Sequence, residues 1–199
     1  MPNPKFFAVI PAAGHSRRMG EHKLLMPWIE STVIEHVLSV WRQSKVDEIV
    51  VVVRANDSNL IEVLGNQGVW VKQLDVDTAD MKESVQQGLR FLESKFSPSN
   101  KDCCLIAPAD LPNLKQNSID AVIDSSSGEF KIVVPWYGEK KGHPICFPWL
   151  ATENIFKLGP DEGLKSLIER EETKRVDLDI RLRPRDIDTP KDYWREQGK

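Results

Sequence analysis

Short apolar runs separated by amphipathic segments constrain this chain more than any other feature of its sequence. The runs are KFFAVI (5–10), EIVVVV (48–53), VWVKQL (69–74), CCLIA (103–107) and FKIVVP (130–135). Near-continuous apolarity rich in β-branched and aromatic residues, rather than strict alternation, predicts strands covered on both faces. Helical patterns lie between them. STVIEHVLSVWRQS places Val33, Ile34, Val37, Leu38 and Trp41 on one stripe, with Thr32 and Glu35 as a capping box. DSNLIEVLG opens on cap-type residues and stops at Gly65, and MKESVQQGLRFLESKF carries Met81, Val85, Leu89 and Leu92 before breaking at Pro98. This alternation predicts a three-layer α/β/α fold around a mostly parallel, Rossmann-like sheet.

The last third changes character. GHPICFP (142–148) reads as a small antiparallel addition at the sheet edge, followed by helical DEGLKSLIER and strand-like KRVDLD. In the tail, DIDTPKDYWREQ, Asp188 or Thr189 caps a final helix with Pro190 in its first turn. No linker interrupts the chain, so residues 1–199 are expected to form one domain.

Charge and cysteine usage narrow the class. A formal net charge of −3, from 27 basic and 30 acidic residues, argues against a nucleic-acid backbone as the partner. Cys103, Cys104 and Cys146 are few, odd in number and lack metal-binding spacing, as expected of reduced thiols in a cytoplasmic protein. The N-terminus has about five apolar residues before Pro11, too few for a signal peptide or a membrane span.

The segment after the first run, PAAGHSRRMGEHKLLMP (11–27), is where chemistry is expected. In open α/β sheets ligands bind outside the carboxyl ends of the strands. Ala12, Ala13 and Gly14 let a ligand approach the main chain, whose successive N–H groups form an anion-binding nest. Arg17, Arg18 and Lys23 add positive charge suited to phosphate oxygens. The spacing is not that of a P-loop: five residues separate Gly14 from Gly20, and no hydroxyl follows Lys23. The dinucleotide fingerprint GxGxxG is also absent.

Taken residue by residue, the segment resembles the signature loop AAGxSxRMGxxKxLLP of the MobA-like molybdenum cofactor nucleotidyltransferases, with Ala12, Ala13, Gly14, Ser16, Arg18, Met19, Gly20, Lys23, Leu25 and Pro27 matching. APADLP (107–112) resembles that family's ADMP, GHPICF its GHPvlf, GPDEGLKSLI a looser form of GDxGARxLL, and DIDTPKDY its DIDTPEDY. The double alanine and the DIDTP tail are closest to the cytidylyl-transferring branch. The resemblance implies a nucleotide-diphospho-sugar-transferase type of sheet and a magnesium-dependent transfer of a nucleoside monophosphate from an NTP, CTP favoured, to molybdopterin. Pyrophosphate is released, and the finished cofactor passes to a molybdoenzyme or its chaperone.

It also implies roles. Asp110 and Asp188 hold the metal; Lys23, Arg18 and Asp110 carry the catalysis; Pro11, Ala12, Ala13, Gly14, Ser16, Arg18, Lys23, Ser84 and Gly88 contact the nucleotide; and Gly142 and His143 lie on the acceptor side. Two positions depart from the pattern: Asp80 replaces a usual glycine, and Lys165 an arginine. VIPAAG also begins the loop of the cytidylyltransferase of non-mevalonate isoprenoid synthesis, but that enzyme carries DAARP where this chain has APADLP. Sugar-phosphate nucleotidyltransferases typically carry GxGTRL, missing here. A non-catalytic nucleotide- or cofactor-binding module would have been free to lose Lys23, Asp110 and Asp188, all of which are present.

Overall fold

A computed structural model of the chain describes residues 3–78, 80–126 and 130–198. In chain order the elements are β1 (Phe6–Pro11), the hairpin β2 (Pro27–Trp28) and β3 (Ser31–Thr32), α1 (Val33–Gln43), β4 (Glu48–Val53), α2 (Ser58–Leu64) and β5 (Trp70–Gln73). Then come α3 (Met81–Phe96), β6 (Cys103–Ile106), α4 (Gln116–Ser126), β7 (Ile132–Tyr137), β8 (Lys140–Lys141) and β9 (Ile145–Pro148). The chain continues through α5 (Glu153–Phe156), α6 (Leu164–Arg170), β10 (Thr173–Leu178) and α7 (Pro190–Glu196). The main sheet runs β10-β7-β9-β6-β1-β4-β5, with β8 paired to β7. Parallel pairing joins β6, β1, β4 and β5, and separately β10 and β7; β9 is antiparallel to both its neighbours.

The continuous apolar runs are explained by two cores. Along β1, Ala8 and Ile10 enter one cluster while Phe7 and Val9 enter the other, and β4 divides in the same way between Ile49, Val51, Val53 and Val50, Val52. The first face is covered by α1, α2, α4 and Tyr193 of α7, the second by α3, α5 and α6. Along β1 and β4 a residue after the first is therefore buried whichever way it points, so no polar alternation survives there.

Two expectations about strand position are corrected. VWVKQL lies at a sheet edge rather than under two layers: Trp70 is 38% exposed, with its ring capped by the Lys95 ammonium at 3.8 Å. Residues 145–148, expected at an edge, are instead inserted between β6 and β7 and fully buried, with Cys146 on one core and Phe147 on the other. The capping box at α1 forms as expected, with Thr32 Oγ1 accepting from the Glu35 N–H and Glu35 accepting from the Thr32 N–H.

Helix α3 lies against β1 and β4 at Gly88. A Cβ placed there would stand 2.6 Å from Val9 Cγ1 and 3.0 Å from Val52 Cγ2. The need for glycine at this position is thus met by helix–sheet packing, which closes the layer beneath the strand ends. Gly88→Ala is expected to destabilise the chain by about 1–3 kcal/mol through overpacking, a fall in Tm of roughly 3–10 °C for a chain of this size. Thermal unfolding of the variant checks it; an unchanged Tm would mean that α3 stands further off the sheet.

Candidate active site

The chain reverses its direction of travel across the sheet at β1, proceeding to β4 and β5 on one side and then to β6 on the other. This is the kind of switch point at which α/β sheets bind ligands. Three loops meet there, fastened by backbone hydrogen bonds. The Ala109 N–H donates to the Pro11 carbonyl at 3.2 Å, and the Ile187 N–H donates to the Asp110 carbonyl at 3.2 Å. The loops carrying Lys23, Asp110 and Asp188 are therefore tied together although they come from far-apart parts of the sequence.

The first loop leaves β1 with the Ala12 N–H donating to the Val52 carbonyl at 2.8 Å. Gly14 is exposed with open space on its Cα, and Met19 and Leu24 are buried as anchors on either side of residues 20–23, which include Lys23. Ser16, at φ 49°, turns the chain so that its Oγ accepts from the Lys23 N–H at 3.3 Å. A short 3-10 turn over Lys23–Leu25 follows. The result fixes the base of the Lys23 side chain while Arg17 and Arg18 remain exposed.

Lys23 bridges two carboxylates. Its Nζ donates to Asp110 Oδ2 and, at 3.0 Å, to Asp188 Oδ1, and the Arg18 guanidinium donates to Asp188 Oδ2 at 2.8 Å. Burial opposes the charge on Lys23, but Asp110 and Asp188 outweigh it and hold the ammonium above its ordinary value. Burial likewise opposes ionisation of Asp188, and the Lys23 and Arg18 cations overcome it, leaving the carboxyl below its usual range. Asp188 is free to take part because Thr189, not Asp188, caps α7: the Thr189 hydroxyl accepts from the Asp192 N–H.

Asp186 was missed from the sequence, although it repeats the acidic residue of the same DIDTP stretch. Burial first, and then the neighbouring Asp188 and Asp110 charges, push its carboxyl above the ordinary value. His143 also faces this group. Burial pulls its imidazole below the usual value against a hydrogen bond that the ring donates to the Ile106 backbone carbonyl and the Asp110 and Asp186 charges, and its Nδ1 is buried without a partner. Gly142 beside it leaves room for the Tyr137 ring, whose Cε2 would lie 2.5 Å from a Cβ.

Ser84, Asp80 and Lys165 lie on or next to α3 and α6. Ser84 is buried, and its hydroxyl is paired with that of Thr78 at 2.7 Å. Asp80 is the N-cap of α3, accepting from the Glu83 N–H at 2.9 Å, which accounts for an acidic residue where the resemblance led to glycine. Lys165 points away from the cluster, 86% exposed and 3.8 Å from Glu169 on its own helix.

A second polar network, not anticipated, fastens the loop to the β4–α2 connection. The buried Asp57 carboxylate receives the Arg54 Nε–H at 2.9 Å and lies 2.8 Å from His22 Nε2, while Arg54 reaches His15 Nδ1 at 3.0 Å and His15 meets Asp77 at 3.0 Å. Its members are scattered over residues 15–77, so no local spacing exposes it. Burial disfavours the Asp57 charge, but His22 and Arg54 prevail and hold its carboxyl below the ordinary 3.8. A depressed folded-state pKa contributes stability above the unfolded value and loses it as pH falls through the folded one. Asp57→Asn is therefore expected to lower stability at neutral pH and to flatten the acid limb below about pH 4. Urea unfolding of both proteins from pH 7 to 3 checks it; parallel curves would remove Asp57 from the acid response.

Asp110 Oδ1 is buried with no hydrogen-bond partner, and its other oxygen shares a cation with Asp188. Two carboxylates converging on one cation, with an oxygen to spare, are a hard-oxygen donor set that fits magnesium or manganese. Among the described residues no group of three or more His, Cys, Asp or Glu side chains forms a metal site, so the pair would need ligand oxygens to complete the shell. The Lys23 and Arg18 cations beside that pair suit a polyphosphate.

Among curated relatives, a protein of Bacillus mycoides (strain KBAB4) named "Probable molybdenum cofactor guanylyltransferase" is 30% identical over 159 residues, 79% of this chain and 76% of the relative. One of the same name from Bacillus cereus (strain AH820) is 28% identical over 174 residues, 87% of this chain and 79% of the relative. Among solved structures, Rv0371c of Mycobacterium tuberculosis H37Rv superposes with a TM-score of 0.84 at 24% identity, covering 98% of this chain and 99% of that one. A 4-diphosphocytidyl-2C-methyl-D-erythritol synthase superposes with a TM-score of 0.80 at 20% identity, covering 100% and 99%. These likenesses show the mostly parallel α/β/α fold of nucleotidyltransferases. The family profile described as the MobA-like NTP transferase domain matches residues 8–176, and the chain belongs to that family.

Proposed function

We propose that this nucleotidyltransferase moves a nucleoside monophosphate from an NTP to the phosphate of molybdopterin, and that the Lys23–Asp110–Asp188 bridge is the centre of the reaction. That bridge, at the switch point of the sheet, carries the reading. An oxygen of the acceptor phosphate attacks the α-phosphorus. The bond from that phosphorus to the bridging oxygen breaks, and pyrophosphate leaves with the electron pair. Anion meets anion in this step, so positioning and charge neutralisation supply most of the rate.

The chain's own groups divide that work. The Ala13–Gly14 main chain and the Ser16 turn receive the triphosphate, the Ala12 N–H being held by the Val52 carbonyl. Lys23 and Arg18 stabilise the charge that accumulates on pyrophosphate. Asp110 and Asp188 would hold a divalent cation, which when bound supplies charge neutralisation at the phosphate oxygens. Magnesium is the proposed ion. Manganese is the alternative, since a manganese complex of Rv0371c superposes on this chain with a TM-score of 0.77 at 22% identity. His143, kept neutral by its surroundings, stands beside Asp110 on the proposed acceptor side.

CTP is the proposed donor, on the double alanine at Ala12 and Ala13. GTP is the second reading, favoured by the names of the Bacillus relatives. Competition between the two at equal concentration, with molybdopterin as acceptor, decides: the cytosine dinucleotide as main product supports the first reading, and the guanine dinucleotide replaces it with the second. The three cysteines are free, in keeping with the proposed cytoplasmic setting. No helix among the described residues is long and apolar enough to cross a membrane. Delivery of the product to a molybdoenzyme or its chaperone belongs to the same reading.

A further inference from the structure

A cavity of about 370 Å³ opens beside the carboxylates, with Asp110, Asp186 and Asp188 on its wall together with two cations, Lys141 and Arg183. The phosphate-loop chemistry uses neither cation. The stretch from β10 to α7 carries four arginines, at 175, 181, 183 and 185. Three of them are neutralised: Arg175 by Asp177 at 2.6 Å, Arg181 by Asp179, and Arg185 by Glu196 at 3.7 Å. Arg183 is the exception, with no ion pair or side-chain hydrogen bond among the described residues, although it is half-buried.

The backbone fixes where Arg183 begins. Its N–H donates to the Ile180 carbonyl at 3.3 Å, closing a 3-10 turn, and the buried Pro184 follows. Lys141, from β8, also lacks a carboxylate partner among the described residues, and its ammonium stands 5.7 Å from the Trp136 ring centroid. A half-buried arginine on a cavity wall, without a counter-charge among the described residues, is open to a ligand that supplies one. The cavity's carboxylates do not: Asp188 already takes the Lys23 and Arg18 cations, Asp110 takes Lys23, and Asp186, though on the same wall, makes no ion pair with Arg183 among the described residues. The missing partner is therefore an external anion placed across the carboxylate pair from the triphosphate loop.

We propose that Arg183, supported by Lys141, grips the phosphate of the acceptor and turns its attacking oxygen toward the nucleotide. The grip deepens the nucleotidyl-transfer reading and rests on it. It also states the substrate class that this wall takes: a phosphomonoester, held through two parallel N–H···O bonds from one guanidinium. Arg183 is specificity-determining for the acceptor and has no part in binding the NTP.

Arg183→Gln is expected to raise the KM for molybdopterin by about tenfold to a hundredfold, the worth of a charged hydrogen-bonded contact, while the KM for the NTP stays within about twofold. Arg183→Lys keeps the charge but loses the fork, so its acceptor KM falls between the two. Lys141→Ala produces a smaller rise, about two- to fivefold, as a single point charge should. An unchanged acceptor KM in Arg183→Gln, or equal rises for both substrates, overturns the grip.

A second arm is independent of turnover. Calorimetric titration of inorganic phosphate into protein loaded with a non-hydrolysable NTP should show binding at least about tenfold weaker in Arg183→Gln than in the parent chain. Equal binding overturns the assignment. If the parent chain transfers nothing to molybdopterin but phosphate binding still depends on Arg183, the grip stands and the choice of acceptor fails.

Discussion

Asp110→Asn is expected to cut nucleotidyl transfer by about a thousandfold, some 4 kcal/mol of lost transition-state stabilisation, with little change in fold. The substitution is nearly isosteric, and the residue sits on a loop held by backbone bonds, through the Ala109 N–H to Pro11 and from the Ile187 N–H to the Asp110 carbonyl, that an asparagine leaves intact. What it removes is the negative charge of a carboxylate that has one oxygen on Lys23 and the other buried without a partner. An amide there neither balances the Lys23 ammonium nor offers a hard anionic oxygen to a divalent cation. Steady-state rates and thermal unfolding of the same preparation separate chemistry from stability. Full activity in a folded Asp110→Asn protein would take Asp110 out of the mechanism.

Lys23→Ala should weaken NTP binding by about tenfold to a hundredfold, as loss of a charge-assisted contact predicts. Binding of the corresponding monophosphate should change by less than about threefold, because Lys23 is assigned to the phosphates that leave. The substitution also strips Asp110 of the Lys23 cation and leaves Arg18 alone on Asp188, itself 70% exposed and therefore a weak substitute. Three neighbouring carboxylates, Asp110, Asp186 and Asp188, then face each other with little compensation, so a moderate loss of stability accompanies the loss of affinity. Isothermal titration with both nucleotides checks the assignment. Equal weakening of the two would place Lys23 away from the departing end of the triphosphate.

Much of this was legible in the sequence, for identifiable reasons. The strands announce themselves because both faces are covered, and the α1 cap because Thr32 and Glu35 interact only three residues apart. The loop after β1 stands out because its small residues and cations follow a buried strand directly. What local pattern does not encode is which distant segments meet. The placement of residues 145–148 between β6 and β7 depends on pairings across the whole sheet, and their apolarity fits an interior strand as well as an edge. The division of labour between Asp188 and Thr189 turns on which side chain reaches the first turn of α7, and either is an acceptable cap by residue type.

The same limit applies to Gly88 and to the polar network behind the loop. A glycine in a helix reads equally as ligand approach or as close packing until the opposing Val9 and Val52 side chains are in place. His15, Arg54, Asp57 and His22 look like separate surface residues, and only the fold joins them into one chain of contacts. Arg183 was hidden for a related reason. In a stretch as charged as 179–186 its lack of a partner becomes visible only once the pairings of its neighbours are known.

The most direct test of nucleotidyl transfer follows the label. The protein is incubated with a divalent cation, molybdopterin and CTP or GTP labelled at either the α- or the γ-phosphorus. The α-label should appear in a dinucleotide form of the cofactor and the γ-label in pyrophosphate, both only when acceptor is present, and both should vanish in Asp110→Asn. Release of the γ-label as orthophosphate, or an α-label that never joins the acceptor while the NTP is demonstrably bound, would contradict the account.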